Sequence, residues 1–481
     1  MTTVVVLGGG FAGTLTAAVL ARHADRVVLV EGDRYPAGAG PRRGLPQARH
    51  THVLVTGGAR ALEALLPGTL RELSERGAHR RGLSDGTLIL TSDGWYHRHD
   101  TEAYLISCSR GLLDAVVRRR ALGGGAVTVL QGTRALGLTG DAARVTGVSV
   151  RRGDGPEETI EADLVVDATG RRSRAPRWLA DLGAPEVEEA LLSSGLAYAT
   201  RLYRAPAGLA AAIPAVMLHP APTAGRPAQG ATVYPIEDGR WVVTLTGTRG
   251  GEPPTGERAF ADFARGLRSP IVAELMAAAE PDGPVRPYRD TADRRRFFER
   301  ARLPDGFLAV GDAVVALNPV HSHGMSVAAL SALRLEEELT RHGKIAPSAA
   351  QELREAVAAE AEWSWRMATG DAGPGHRAGP ARREATAFER RVREHMARAA
   401  LSTPELAAGF FRAHALIPPP AAGGPNPSRG APVRAEPPLT DQQAIAQYPG
   451  LAAWWRARPA PAPAGAPYPG SPAAGDHVAL A

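Results

Sequence analysis

Residues 3–33 read "TVVVLGGGFAGTLTAAVLARHADRVVLVEGD", and this stretch decides the fold. An apolar run comes first, and Gly8, Gly10 and Gly13 follow it in the pattern G-x-G-x-x-G. Next come a helix-like stretch and a second apolar run, which ends at Glu31. The first glycine permits a tight turn, the second lets the backbone approach a pyrophosphate, and the third lets the helix pack on the strand. An acid about 20 residues further on can accept both ribose hydroxyls. The stretch predicts a βαβ unit that binds a dinucleotide lacking a 2′-phosphate, either NAD or FAD.

The positive charge of the chain comes almost entirely from arginine. The 481 residues carry a formal net charge of +6, and Lys344 is the only lysine. The basic runs are short and acidic residues are interspersed among them, so a solvated arginine-rich surface is favoured over a nucleic-acid-binding one. No nucleic-acid partner is expected.

Several other classes of protein are disfavoured. Cys108 is the only cysteine, which excludes an intramolecular disulfide and predicts a reducing, cytoplasmic location. No apolar run reaches about 18 residues, so no integral membrane segment is expected. The histidines at 49–52 and 97–99 have no cysteine or carboxylate at ligand spacing, which predicts no metal site. Ser173 and Ser326 lack a G-x-S-x-G context, which argues against a hydrolase triad.

A second nucleotide-type motif lies at residues 305–330, "DGFLAVGDAVVALNPVHSHGMSVAAL". A strand delivers Asp312 to a turn, and a helix begins near Gly324 and Met325. Asp312 can hydrogen-bond a ribityl chain, and the amides of the helix start can stabilise the negative charge of a reduced flavin. A plain NAD dehydrogenase needs no such second motif, so FAD is indicated.

With these motifs, the chain resembles the FAD-dependent aromatic hydroxylase and epoxidase superfamily. Within it, the chain is most similar to actinobacterial flavin epoxidases of the polyether type and, more distantly, to squalene epoxidase. The likeness covers most of residues 4–335. It is carried in order by "GGGFAGTLTAAVLA", "PRRGLPQARHTHVLVTGG", "ISCSRGLLDAVVRRR", "ADLVVDATGRRSRAPRWL", "GRWVVTLTGTRGGEPPT" and "DTADRRRFFERARLPDGFLAVGDAVVALNPVHSHGMSVAALSAL".

The resemblance implies an α/β fold. A Rossmann-like FAD-binding domain of the glutathione-reductase type is joined to an α+β substrate domain built on a β-sheet, with a C-terminal helical segment. The expected FAD-binding domain comprises residues 1–85, 105–185 and 285–345, and the substrate domain comprises 86–104 and 186–284. Helices are expected over 346–416. The proline- and alanine-rich tail, 417–481, is expected to be largely disordered apart from one short docking helix in 444–458.

The resemblance also implies the cofactor-binding residues. Gly8, Gly10, Gly13 and Glu31 are expected to contact the adenosine half of FAD, and Arg110 also matches an FAD contact. Gly311 and Asp312 match the ribityl contact. Pro319, Gly324 and Met325 match the segment beside the flavin ring, and Arg43 and Gln47 lie in a loop near the cofactor.

Two departures from the family bear on the electron source and the reaction. Single-component hydroxylases usually carry Asp-Gly in the middle motif, where this chain has Thr169-Gly170. NAD(P)H is therefore expected to supply electrons either directly or through a separate flavin reductase. Flavin halogenases need a W-x-W-x-I-P segment and a dedicated lysine; "WSW" at 363–365 lacks the Ile-Pro, which argues against halogenation.

The implied reaction inserts one oxygen atom from O₂ through a C4a-hydroperoxyflavin. The first expectation is epoxidation of an alkene in a small apolar polyketide or isoprenoid intermediate of natural-product (antibiotic) biosynthesis; hydroxylation of an aromatic ring is the alternative. No protein nucleophile is required, because the cofactor carries the chemistry. Tyr198, Tyr203, Tyr234 and Trp241 are the candidates to line the substrate site. His321 and His323 are candidates for proton donation or hydroperoxide stabilisation, against simple loop packing.

Two other functions remain open at this point. A flavoenzyme of the same fold could reduce or dehydrogenate double bonds without oxygen transfer. A non-enzymatic protein with an FAD fold could use its long tail as a binding segment.

Overall fold

The computed structural model describes residues 1–223, 225–343, 345–369, 387–418 and 436–458. Within these residues the chain forms the strands β1 (Thr3–Leu7), β2 (Arg26–Glu31), β3 (Val53–Val55), β4 (His79–Gly82), β5 (Thr87–Leu90), β6 (Tyr104–Ser107), β7 (Val127–Gln131), β8 (Thr133–Gly140), β9 (Val145–Arg152), β10 (Glu157–Glu161), β11 (Leu164–Asp167), β12 (Glu189–Leu192), β13 (Ala197–Arg204), β14 (Ala215–Thr223), β15 (Arg226–Ile236), β16 (Arg240–Gly247), β17 (Glu280–Tyr288), β18 (Asp293–Arg296), β19 (Phe307–Ala309) and β20 (Val315–Ala316).

The helices in the same residues are α1 (Phe11–Leu20), α2 (Thr56–Leu65), α3 (Thr69–Glu75), α4 (Arg110–Leu122), α5 (Ala175–Asp181), α6 (Leu209–Ala212), α7 (Glu257–Arg265), α8 (Ile271–Ala277), α9 (Gly324–His342), α10 (Ala350–Thr369), α11 (Ala387–Ala400), α12 (Pro404–His414), α13 (Asp441–Ala446) and α14 (Pro449–Ala457).

A five-stranded parallel sheet with the order β19-β11-β1-β2-β7 forms the first core. Its strands are short runs of valine and leucine with little alternation, as expected for strands buried on both faces. Helices α1, α4 and α9 pack on this core, and the antiparallel sheet β10-β9-β8 adds Val148 and Val150 to it. The carboxyl ends of β1 and β2 carry the glycine turn and Glu31 to one edge, where ligands bind in open α/β sheets.

A six-stranded sheet with the order β17-β13-β16-β15-β14-β5 forms the second core. All of its pairs are antiparallel except β14 with β5. Side chains alternate between its two faces. The face we call the helix face packs on α7, α8, α13 and α14 through Tyr203, Trp241 and Val243. The opposite face, here the inner face, carries Tyr198, Thr200 and Thr244 and meets the loop at 50–52.

The predicted α/β class, with a Rossmann-like domain, a sheet-based second domain and C-terminal helices, is confirmed. The predicted domain boundaries stay a prediction, although segment 86–104 does supply β5 to the six-stranded sheet. Helix α12 packs on the inner face through Ala407 and Phe411.

Residues 436–458 of the tail are ordered, and they include the segment 444–458 in which one docking helix was expected. This stretch forms α13 and α14 in place of one helix, and it buries Ile445, Tyr448 and Leu451 in the core of the second sheet. Apolar side chains between the two proline-rich runs explain the difference, because they give this part of the tail a core to join. Residues 419–435 and 459–481, for which disorder was expected, lie outside the described residues.

Candidate functional site

The glycine turn after β1 is fixed by backbone contacts. Gly8 has a φ of +94°, which favours glycine, and a Cβ at Gly13 would lie 1.8 Å from the carbonyl oxygen of Gly8. A Cβ at Gly10 would meet no atom within 4 Å. Gly8 and Gly13 therefore serve the fold of the turn, and Gly10 leaves its surface open.

Helix α1 begins at Phe11 without a side-chain cap and without an acidic residue in its first turn. Its first amides accordingly have no partner within the helix, and its positive end faces the space beside Gly10. This is the arrangement that binds the phosphates of a dinucleotide.

Glu31 lies at the end of β2 in a network with Arg42. Its Oε2 accepts hydrogen bonds from the Gly9 amide at 2.7 Å and forms an ion pair with Arg42 Nη2 at 2.7 Å. Its Oε1 accepts from the Asp33 amide at 2.7 Å. Both side chains are buried, so the carboxylate is held in place at the edge of the sheet.

The predicted contact by Arg43 is corrected to Arg42. Arg43 is exposed and does not line the cavity, whereas Arg42 is 7% exposed, lines it and also donates to the Gly9 carbonyl at 2.8 Å. The loop has no periodicity from which the inward-pointing arginine could be recognised. Only the fold brings the carboxylate of Glu31 to Arg42.

The second motif reaches the same cavity from β19. Gly311 has a φ of +62°, and a Cβ there would lie 2.6 Å from Ala12 Cβ, so the turn packs directly on α1. Asp312 lines the cavity. Burial raises its pKa above the usual value, and the positive charges of Arg171 and Arg110 oppose that shift.

Arg171 and Arg110 are themselves held in place. Arg171 Nη2 donates to the Leu317 carbonyl at 2.9 Å, and Arg110 Nε donates to Asp114 Oδ1 at 2.7 Å. Arg171 was missed by the sequence analysis, although it directly follows the Thr169-Gly170 pair that the analysis singled out.

Helix α9 presents a second uncapped N-terminus to the cavity. It begins at Gly324, and His323 at the N-cap position makes no side-chain cap. The preceding turn is held by Asn318, whose Oδ1 accepts from the Val320 amide and from the Tyr198 hydroxyl. Ser322 adopts a left-handed conformation with a φ of +59°.

These elements enclose one continuous cavity of about 710 Å³, within the size range of small-molecule and cofactor sites. Of the predicted residues, the cavity is lined by Gly8, Gly10, Glu31, Gln47, Arg110, Asp312, Pro319, His323, Gly324 and Met325. Gly13 and Gly311 lie behind its wall, and His321 is not among the lining residues. Residues from the N-terminal segment and from near residue 320 are thus brought to one site.

The predicted substrate-lining aromatics separate by sheet face. Tyr203 and Trp241 are directly paired on the helix face and fully buried against α7 and α8, so their assignment as lining residues is corrected. Tyr234 is on the inner face but is buried beneath α12 near Phe411. Tyr198 does not line the cavity either, but it bonds to Asn318, which does. Sequence alternation shows that a strand has two faces but cannot show which one a later helix covers.

The inner face carries a row of hydroxyl groups where it approaches the cavity. Thr200, Thr244 and Thr232 stand side by side on adjacent strands. Thr51 lines the cavity. Its Oγ1 lies 2.7 Å from the Oγ1 of Thr244 and 3.5 Å from that of Thr232. The Oγ1 of Thr200 lies 2.7 Å from the Oγ1 of Thr244. His50 Nδ1 lies 2.8 Å from the Thr200 hydroxyl. Thr51 therefore connects the wall of the cavity to a polar hydrogen-bond network on the inner face.

Five histidines lie near the same end of the cavity: His323 is fully buried, and His50, His52, His321 and His414 are half-buried. Burial lowers the pKa of His52 to about 3 and those of His50, His321 and His414 to about 4. Burial also holds the pKa of His323 well below its usual value. These imidazoles are neutral at pH 7. His414 was missed by the sequence analysis, because it is brought here by the packing of α12.

Among the described residues, no group of three or more potential ligands could hold a metal ion. None of the helices in the described ranges combines the length and hydropathy of a membrane span. Cys108 is buried, and burial raises the pKa of its thiol.

Comparison with known proteins places this cavity in context. Residues 1–356 match the family described as "FAD binding domain". The chain is 31% identical to protein Rv3254 of Mycobacterium tuberculosis over 76% of its own length and 79% of the relative's. It is 28% identical to 6-methylpretetramide 4-monooxygenase of Streptomyces rimosus over 68% of this chain and 72% of that protein. The structure resembles p-nitrophenol 4-monooxygenase PnpA from Pseudomonas putida DLL-E4, with a TM-score of 0.59 and 20% identity over 86% of this chain and 98% of that one. That last likeness concerns the fold.

Proposed function

This chain belongs to the FAD-binding-domain family of flavin-dependent monooxygenases, and we propose that it transfers one oxygen atom from O₂ to a small organic substrate beside the inner face. The observation that carries this proposal is the continuous cavity, which joins two uncapped helix N-termini to Thr51 and His52, in the loop that contacts the inner face. Such a cavity can accommodate an extended cofactor at one end and an acceptor at the other.

We assign the cofactor contacts along this cavity. The start of α1 with Gly10 binds the pyrophosphate, and Glu31, supported by Arg42, accepts the ribose hydroxyls. Asp312 binds the ribityl chain. The start of α9, with Gly324 and Met325, lies beside the flavin ring. Bound FAD supplies the activation of O₂, and the protein positions the acceptor and excludes water.

The polar groups at the substrate end bear on the choice between two reactions. The sequence favours epoxidation of an apolar alkene, with aromatic hydroxylation as the alternative. Thr51, His52 and Asn318 give this end of the cavity a polar lining. We therefore propose the alternative, hydroxylation of an aromatic substrate that carries polar groups. The similarity to a monooxygenase named for 6-methylpretetramide supports the same choice.

Turnover under ¹⁸O₂ tests the proposal. Purified FAD-loaded protein is incubated with NADH or NADPH, with and without a flavin reductase, and with matched polycyclic phenols and polyenes. We expect one labelled oxygen atom in a hydroxylated phenol. A labelled epoxide from the polyene would instead support the epoxidase. An unlabelled, reduced product would support a reductase, and no turnover with any acceptor would support a non-enzymatic role.

The same experiment identifies the electron donor. Thr169 and Gly170 line the cavity in place of the family's Asp-Gly pair. We propose that a separate reductase supplies the electrons. Anaerobic bleaching of the bound flavin by NAD(P)H without any reductase, at a rate sufficient for turnover, would contradict this proposal.

A further inference from the structure

Arg296, the last residue of β18, has a buried side chain that is bonded to three separate segments of the chain. Only 2% of the residue is exposed. Its Nη1 donates to the carbonyl oxygen of Ala313 at 2.9 Å, and its Nη2 donates to that of Arg171 at 3.1 Å. Its Nε donates to Glu189 Oε2 at 2.9 Å. Each of the three guanidinium nitrogens therefore has a partner.

The two carbonyl groups belong to turns that meet at the wall of the cavity, residues 170–172 and residues 311–313. A Cβ at Gly170 would lie 3.8 Å from Asp312 Cβ, so the two turns are in contact. Gly170 and Asp312 both line the cavity, whereas Arg296 does not. The guanidinium group of Arg296 is thus bonded to the backbones of both turns from behind the wall.

The side chain of Arg171 extends the same network toward the start of α9. Its Nη2 donates to the Leu317 carbonyl at 2.9 Å, and its Nη1 donates to the Ala292 carbonyl. Leu317 lines the cavity and directly precedes Asn318, which holds the turn before α9. Because Arg296 holds the backbone of Arg171, it also affects the position of this third segment of the wall.

Buried Asp167 also holds the turn at 170–172. Its Oδ1 accepts from the amide and the hydroxyl of Thr169 at 2.9 and 2.6 Å, and its Oδ2 accepts from the Ser173 hydroxyl. Burial raises the pKa of this carboxyl, and the hydrogen bonds from the two hydroxyl groups, followed by the positive charge of Arg296, oppose that shift. The charge of Arg296 therefore favours the ionised carboxylate that holds the turn.

The adenosine end of the cavity has a separate network. Glu31 is held there by the Gly9 amide and by Arg42. The three hydrogen bonds of the Arg296 side chain do not reach this network. A substitution at residue 296 should therefore affect the two ends of the cavity differently.

We propose that Arg296 is a positioning residue for the flavin half of the cofactor site. By binding the carbonyl groups of Arg171 and Ala313, it holds Asp312 where this side chain can bind the ribityl chain. The inference rests on the proposed function, since that function assigns the ribityl contact to Asp312. Contacts of this kind depend on supporting groups that fix their geometry, and a displacement of about 1 Å is enough to weaken them.

Binding of FAD and of ADP to the full-length apoprotein tests the proposal. ADP carries the adenosine half of FAD and lacks the ribityl chain and the flavin. FAD binding is followed by quenching of the flavin fluorescence, and ADP binding is followed by calorimetry. For Arg296→Gln we expect the FAD affinity to fall about tenfold or more and the ADP affinity to change by less than about threefold. Equal losses for the two ligands, or an unchanged FAD affinity, would overturn the proposal.

Glu189→Gln separates the ion pair from the contacts with the turns. It removes the negative partner of Arg296 but leaves both carbonyl contacts, so we expect a lower free energy of unfolding with a nearly unchanged FAD affinity. If Glu189→Gln weakens FAD binding as much as Arg296→Gln does, the ion pair determines the affinity and the proposal fails.

Arg294→Gln is the matched control. Arg294 lies two positions away on β18, and its Nε is 3.6 Å from Glu189 Oε1. Its side chain has no hydrogen bond to either turn within the described residues, so its loss should leave the affinities for FAD and ADP unchanged.

Arg296→Lys provides the test if Arg296→Gln does not fold. Lysine keeps a positive charge beside Glu189, but one ammonium group cannot replace the planar fork that reaches two carbonyl oxygens. We expect a selective loss of FAD affinity that is smaller than the loss in Arg296→Gln. An FAD affinity equal to that of the wild type would show that the fork is not required and would overturn the proposal.

Oxygen transfer is tested separately by the ¹⁸O₂ experiment. If Arg296→Gln or Arg296→Lys loses FAD affinity selectively but the wild-type protein gives no labelled product, the proposed oxygen transfer fails and the assignment of Arg296 stands. Labelled product from the wild type, together with equal losses of FAD and ADP affinity in the variants, would have the opposite meaning.

Discussion

Arg42 and Arg43 are neighbours in the chain with different environments, which provides a matched pair for mutation. Arg42 is buried against Glu31, whereas Arg43 is exposed. Arg42→Gln leaves the Glu31 carboxylate buried without its partner, and we expect the free energy of unfolding to fall by about 3 kcal/mol. Arg43→Gln should change it by less than about 0.5 kcal/mol. Urea unfolding of both variants without FAD measures the difference, and equal effects would contradict the assignment.

Gly10 and Gly13 of the turn should also differ in how strongly their substitution affects folding. Gly10→Ala adds a methyl group that meets no protein atom, so the protein should unfold at an unchanged urea concentration. We expect its FAD affinity to fall by about tenfold or more, since the backbone must approach the pyrophosphate here. Gly13→Ala places Cβ 1.8 Å from the Gly8 carbonyl oxygen and should prevent folding. Unchanged FAD affinity in Gly10→Ala would contradict the proposed phosphate site.

Most of the predictable residues belong to local motifs. Gly8, Glu31 and Asp312 line the cavity, and each lies at or just after the end of a strand that is recognisable from the sequence; their contacts with FAD stay predictions. Arg43 was predicted, whereas Arg42 lines the cavity, because a loop has no repeating geometry that shows which side chain points inward. Such errors of one position are removed only by the partner across the fold.

At the scale of elements, α14 extends the core of the second sheet from a distant part of the sequence. Leu451 is fully buried, and the Tyr448 hydroxyl donates to the Thr87 carbonyl at 2.8 Å. Leu451→Ala removes buried apolar surface and leaves a cavity, and should lower the free energy of unfolding by about 3 kcal/mol. Ala453→Ser, at an exposed position of the same helix, should have little effect. Similar unfolding curves for the two variants would show that α14 does not contribute to the core.

Elements whose position depends on long-range packing were the least predictable. The alternation of side chains in β13 and β16 identified two faces of the sheet. Tyr203 and Trp241 are core residues because α7 and α8 cover the face that carries them. His414 contacts His323, a residue that lines the cavity, because α12 packs on the inner face. Neither fact has a local signal in the sequence, since each depends on contacts between distant segments.

At the scale of the whole molecule, the buried neutral histidines make stability depend on pH. The pKa values of His50, His321 and His414 are lowered to about 4 and that of His52 to about 3, from about 6.5 in the unfolded chain. Their contribution to the free energy of unfolding is complete above about pH 6.5. It is lost as the pH falls toward 4, because these histidines take up protons at a higher pH in the unfolded chain than in the folded one. Each contributes at most about 1.4 kcal/mol per pH unit.

Urea unfolding between pH 7 and pH 4.5 measures this dependence. Buried Asp167 and Asp312 act in the opposite direction, since burial raises their pKa values and protonation favours the folded state. The difference between wild type and His321→Gln isolates one histidine, and we expect the slope of stability against pH to decrease by up to about 1.4 kcal/mol per unit. An unchanged slope would show that His321 is protonated equally in both states.

The strand order of the five-stranded sheet also affects how the chain folds during its synthesis. Its central strand β1 lies between β2 and β11, and β11 pairs with β19, which is translated only after the whole second sheet. Parallel strands separated by long connections pair slowly, because loop closure precedes the gain from contacts. Strand β11 therefore has no partner on its outer edge until residues 307–309 have been synthesised. The five-stranded sheet that carries both motifs is therefore complete only after β19 has been synthesised. A chain that stops before β19 leaves the edge of β11 unpaired and open to aggregation.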